Sequence, residues 1–189
     1  MLGDGLAARI DRWAADARVD EAARVRARER WLRHQAEEEG SLAGVLADLA
    51  ERGVPVAVHV RGGRRHQGEI RALGSDFLAL GSVNAEVIIA LTAVTSVRTH
   101  PSEVATIGDR SIATSLGLAD VLAGLAANRA TVMLLLAGGD DSVAGELRSV
   151  GQDVVGVGVV GGPAVTAYVP LVAVVEVVIE SSLSLSSQP

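Results

Sequence analysis

SLAGVLADLAERGVPVAVHVRGG, Ser41 to Gly63, aligns residue for residue with GLADVLAGLAANRATVMLLLAGG, Gly117 to Gly139, at a constant offset. One residue is then inserted, and GEIRALGSDFLAL (Gly68 to Leu80) aligns with GELRSVGQDVVGV (Gly145 to Val157). After three more, IALTAVTSV (Ile89 to Val97) meets VPLVAVVEV (Val169 to Val177). A self-similarity of this length is an architectural signal before any motif is considered. The insertions fall where turns are expected, so the frame of helix and strands is duplicated while loop lengths vary.

Each copy opens with a short helix, at about 42–52 and 117–128, and continues into strands. Val54, Val56, Val58 and Val60 alternate with Pro55, Ala57 and His59, the period-2 pattern of a half-buried strand. Gly62-Gly63 turns the chain. Further strands are predicted at about 67–73, 76–81, 86–91 and 93–98, and in the second copy at about 131–137, 143–150, 153–160, 164–169 and 173–180. Five short strands in so few residues suit a small, strongly bent antiparallel barrel. The fold class expected is therefore α+β and mainly β: an N-terminal helical segment (1–40), two tandem five-stranded barrels (41–100 and 117–180) each led by a short helix, a linker (101–116) and a frayed polar tail (181–189). Ile107 and Ile112 predict partial packing of the linker.

In the first forty residues Leu6, Ile10, Trp13, Ala14 and Ala17 follow the spacing of one buried helical stripe. The stretch after them is dense in Ala, Arg and Glu, all good helix formers. Gly40 is a candidate stop and Ser41 a candidate N-cap for the next helix. Nine acids among eight arginines argue against a nucleic-acid arm in this segment.

Composition narrows the function classes. Phe77, Tyr168, Trp13 and Trp31 are the only aromatic residues, so the core must be built from Val, Leu, Ile and Ala. All seventeen basic residues are arginine, which with the Ala, Gly and Val excess marks a GC-rich genome. Absence of cysteine excludes disulfides and thiolate metal sites. Neither a signal-peptide run nor an apolar stretch of membrane-spanning length occurs, so a soluble, cytoplasmic protein without a membrane partner is expected. Residues 53–100 carry five Arg against three acids, whereas 130–180 carry one Arg against six acids. The two copies do not offer a partner the same face, and a net charge of −6 argues against a generic nucleic-acid coat.

The repeated unit, a helix and five strands with V-x-V-x-V, a glycine turn and then G-x-I/L-x-x-x-G-x-D followed by two hydrophobic residues, is similar to the Sm-like family. That family includes the Hfq-type RNA chaperones and the archaeal and eukaryotic Sm proteins. The anchors are Gly68, Asp76 and Phe77 in one copy and Gly145, Asp153 and Val154 in the other. The resemblance implies that each glycine permits a sharp bend of the second strand and that each aspartate caps the turn between strands two and three. It also implies rings formed by strand-edge pairing, for instance three chains making a six-module ring. The family's base-holding Asn, its Arg-Gly pair and its Tyr-Lys-His segment have no counterparts here. Only Tyr168 offers a stacking surface, so the fold is expected to outlast the RNA site.

Arg61, Arg64, Arg65 and His66 cluster around the first hairpin turn, where the second copy has Asp140-Asp141-Ser142. They read either as a solvated hairpin tip or as an electrostatic contact to phosphate or to an acidic protein surface. The basic tip of one module meeting the acidic tip of another is one such contact. Gly156-Val-Gly158-Val-Val-Gly161 spells a dinucleotide fingerprint but lacks the helix that must follow it. His34, His59, His66 and His100 show no ligand spacing, and no nucleophile is paired with a base. No cofactor, metal or catalytic residue is expected. The leading expectation is a non-enzymatic assembly protein that binds itself or another protein through strand edges. The alternative is an RNA-binding regulator using the basic turn, without sequence-specific DNA readout.

Overall fold

The computed structural model describes residues 4–38, 40–81, 86–103, 105, 114–138, 141–159 and 165–179. The expected tail over 181–189, and Ile107 and Ile112 of the linker, lie outside the described residues. The chain divides into two compact units, a helical one ending at Ser41 and a β-rich one beginning at Leu42. No described helix is long and apolar enough to cross a membrane.

The helical unit is one helix, α1 (Asp4–Glu38), as its Ala, Arg and Glu content requires. Ion pairs of Arg24 with Glu21 (3.6 Å) and of His34 with Glu38 (3.4 Å) lie along its surface. Exposed pairs like these add only a few tenths of a kcal/mol. Trp13 departs from the buried stripe read from its spacing, being 73 % exposed. Helix propensity along the segment, rather than burial of that indole, accounts for α1.

In the β-rich unit the first half comprises α2 (Leu42–Glu51), β1 (Val56–Val60), β2 (Arg65–Leu73), β3 (Phe77–Gly81), β4 (Glu86–Ala90), a 3-10 turn (Leu91–Ala93) and β5 (Val94–Arg98). The second half comprises α3 (Leu118–Ala127), β6 (Thr131–Leu136), β7 (Ser142–Val150), β8 (Val154–Val159), β9 (Thr166–Pro170), a 3-10 turn (Leu171–Ala173) and β10 (Val174–Ile179). The ten strands form a single antiparallel sheet in the order β5-β1-β2-β3-β4-β10-β6-β7-β8-β9. The sheet is not closed; β5 and β9 are its edges. Two separate open five-stranded modules would leave the outward backbone groups of β4 and β10 unpaired. Here β4 and β10 satisfy one another's backbone groups instead, and the halves become continuous.

Corresponding bonds shape the two halves. The Leu91 N–H donates to the Asp76 carbonyl and the Leu171 N–H to that of Asp153, each at 2.8 Å. The pairing of β2 with β3 slips between Ile70 and Ala72, and that of β7 with β8 between Leu147 and Ser149, so each long strand bends at the same place. After α2 the chain turns through Gly53 at φ 62°, and after α3 through Arg129 at φ 50°. The left-handed region suits glycine at a helix C-terminus and strains a residue with a Cβ. Arg129→Gly is therefore expected to stabilise the protein by about 1 kcal/mol, read as a rise of a few degrees in thermal midpoint. Its exposed pairing with Glu146 (3.5 Å) has little to lose.

One contiguous core joins the halves. It includes Leu46, Leu49, Val58, Phe77, Leu80 and Ile89 from the first, and Leu122, Leu134, Leu147, Val155 and Val177 from the second. Asp48, buried on α2, pairs with Arg52 at 3.1 Å, and Arg52 also reaches Glu103 beyond β5.

Candidate interaction site at the seam and open edges

Where β4 meets β10, Ile89 lies opposite Glu176, Ile88 opposite Val177 and Val87 opposite Val178. Glu176 interrupts the valine run of β10 and also lies opposite Leu135 of β6, which leaves it 1 % exposed. A carboxylate so placed needs partners. It takes them from the first half: Arg64 Nε donates to its Oε1 at 3.0 Å, and His66 Nε2 lies 3.0 Å from its Oε2. Burial pushes the Glu176 carboxyl up, but hydrogen bonds from His66 and Arg64, and their charge, outweigh this and hold it below its ordinary value.

The basic hairpin tip is thus divided between roles. Gly62 and Gly63, at φ 91° and 82°, make the tight turn that presents the tip. Arg64 and His66 project to the seam. Arg61 donates through Nη2 to the Thr92 carbonyl at 3.0 Å while remaining exposed. Arg65 is exposed, and no hydrogen bond or ion pair of its side chain occurs among the described residues. Within the chain the acidic group that meets the basic tip is Glu176, within β10, and Asp140 of the acidic tip lies outside the described residues. Sequence reading did not single out Glu176. The usable signal was a lone carboxylate inside VVEVVI, which cannot be buried unless cations come to it.

Asp76 lies at the β2–β3 turn, and its carboxylate reaches out of that turn. Oδ1 accepts the Leu118 N–H, the first of α3, at 2.7 Å. Beside it the Ser75 N–H and hydroxyl both donate to the Leu116 carbonyl, at 2.9 and 3.2 Å. The first half therefore caps the helix that leads the second. Asp153 stands at the corresponding β7–β8 turn; it is exposed, and no acceptor bond of its carboxylate occurs among the described residues. Gly68 lies in β2 opposite Val56, and Gly145 is buried in β7 opposite Val132 and Val159. Gly156 and Gly158 lie inside β8 and the next described element is the strand β9, so among the described residues the GxGxxG spelling has no phosphate-binding context; Gly161 lies outside them.

A cavity of about 310 Å³ at the seam is lined by Asp76, Thr92, Leu118, Gln152, Leu171 and Val172 among others. Among the described residues neither an aromatic ring nor an arginine lines it, and Tyr168 stands elsewhere, on β9. The open edges carry the other signal. Tyr168 is 74 % exposed, whereas Ile88, its counterpart on β4, is covered by β10 and 3 % exposed. On the other edge Thr95 is exposed, whereas its counterpart Val175 is buried. The sequence groups Tyr168 with Arg61, Arg64, Arg65 and His66 as a nucleic-acid or partner contact, and the structure sets it on the open edge strand β9, apart from the hairpin. No protein-family model matches this chain, and no curated protein is significantly similar to it.

Proposed function

We propose that this chain is a non-enzymatic assembly protein, built from two divergent Sm-like modules at 41–100 and 117–180, that binds further copies of itself through its open strand edges. The observation that carries this reading is the β4–β10 seam. Within one chain, the fourth strand of the first half already pairs with the last strand of the second. The edges left over are the other members of the same two classes: β9, the fourth strand of the second half, and β5, the last strand of the first. They are complementary rather than identical, so copies join head to tail, closing into a ring if the rotation permits. Residues whose counterparts are buried at the seam stand exposed at both edges, and an open apolar edge is a template for pairing.

The RNA-binding alternative is less supported. Two of its four hairpin residues, Arg64 and His66, are engaged with Glu176, and Tyr168 lies on the far edge of the sheet. Light scattering of nuclease-treated protein, with absorbance at 260 nm recorded before treatment, tests the choice. The expected result is a defined multiple of the 19.4 kDa chain, free of nucleic acid. Tyr168→Lys on one edge, or Thr95→Lys on the other, should reduce it to the monomer while leaving the circular dichroism unchanged. A wild-type monomer removes the assembly reading. Co-purifying RNA that is lost in high salt, and lost in Arg61→Glu with Arg65→Glu, establishes the regulator instead. Arg64 is left intact in that variant because its loss would disturb the seam.

A further inference from the structure

Resting on the self-association reading above, we propose that Asp153 of one copy caps helix α2 of the next by accepting a hydrogen bond from the Leu42 N–H. The template lies inside the chain. At the seam two contacts occur together: β4 pairs with β10, and Asp76, from the half that owns β4, accepts the Leu118 N–H of the helix leading the half that owns β10. Carried to the open edges by the sequence correspondence, the same arrangement places β9 against β5 of a second copy. Val169 then stands opposite Ser96, Tyr168 opposite Val97 and Ala167 opposite Arg98. It also brings the β7–β8 turn of one copy to the start of α2 in the other.

Both ends of that contact are waiting in a single copy. The Asp153 backbone is fixed as that of Asp76 is, by the 2.8 Å bond from the following 3-10 turn, while its carboxylate is exposed. Leu42 opens α2 as Leu118 opens α3. The first amides of a helix have no acceptor within it. A serine at the N-cap, the place of Ser41, takes the amide of the second or third helical residue. That of Leu42 remains, and no acceptor for it occurs among the described residues. Leu42 is 44 % exposed against 5 % for Leu118, the difference expected if a second copy covers it. A carboxylate there also meets the positive end of the helix dipole.

The same transposition sets Asp141, the counterpart of Arg64, beside Ser96 of the second copy. Ser96 pairs with His59, whose Nε2 is buried with no partner among the described residues. A negative tip is therefore compatible with the junction, where Ser96 replaces the carboxylate of Glu176.

The test compares nuclease-treated wild type with Asp153→Ala, Asp153→Lys and Asp153→Asn. Light scattering over a dilution series gives the junction affinity, and hydrogen exchange reads the Leu42 amide. Asp153→Ala is expected to weaken the junction roughly five- to tenfold and to speed Leu42 exchange in the assembled protein. Asp153→Lys weakens it further by placing a cation at the helix N-terminus. Asp153→Asn keeps an acceptor and stays within about twofold of wild type. If wild type assembles and Asp153→Ala changes neither affinity nor Leu42 exchange, the cap is overturned and edge pairing stands. Equal losses in the Ala and Asn variants overturn it in favour of a surface-charge effect. A wild type that never assembles overturns both.

Discussion

Replacing Arg64 with Ala is expected to destabilise the fold by about 3 kcal/mol near neutral pH, measured by urea denaturation. The size follows from what is left behind. Glu176 is 1 % exposed, and without Arg64 its carboxylate would keep, among the described residues, only His66 as a side-chain partner. Removing the carboxylate instead, as in Glu176→Val, is milder, because Arg64 and His66 are both partly exposed and can recover water. The two variants also differ in acid. The folded-state pKa of Glu176 lies below its ordinary value of 4.5. Its contribution is thus fully present above about pH 4.5 and is lost as pH falls through the lower folded value. The cost of Arg64→Ala should therefore shrink as the carboxyl protonates, and Glu176→Val should lack this acid-labile component. A cost of Arg64→Ala that is small at neutral pH and unchanged in acid would show that the buried carboxylate does not depend on the clasp.

Gly145→Val should prevent folding, or cost roughly 4 kcal/mol or more, at the exceptional end of single substitutions. A Cβ on Gly145 would collide with the carbonyl oxygen of Gly158, come within 2.8 Å of the Gly158 carbonyl carbon and lie 3.1 Å from Val157 Cγ1. The obstacle is backbone in the paired strand β8, which cannot rotate aside as a side chain would. Gly145 also sits between β6 and β8, so any retreat breaks one ladder or the other. Gly124→Ala in α3, where a Cβ meets open space, is the control and should stabilise slightly. Soluble yield and thermal melting followed by circular dichroism read both. A Gly145→Val protein that melts with wild type would mean that the β7–β8 register at Gly145 is not as described.

The local elements were legible because their signals are local. Alternating valines around Val58, the glycine turn at Gly62-Gly63 and the apolar spacing of α2 and α3 each fix backbone geometry within a few residues. The positions of Gly145, in a long bent strand, and Asp76, at a turn, were legible for the same reason. Less was visible where partners come from far along the chain. Glu176 meets Arg64 across 112 residues and Asp76 meets Leu118 across 42, and no periodicity encodes either. The basic tip was noticed as a charge cluster, but its assignment to the seam needed coordinates.

By itself the sequence determined the duplicated order of helix and strands and the absence of cysteine chemistry. Tertiary structure alone decided that β4 pairs with β10, that one carboxylate is buried between the halves against Arg64 and His66, and that β5 and β9 are left open. The physical reason is that backbone propensity and hydrophobic period act over a few residues. Strand-edge pairing offers every open edge the same hydrogen bonds, so which edges meet is settled by chain connectivity, by the burial of a common core and by the need of the buried Glu176 for Arg64 and His66.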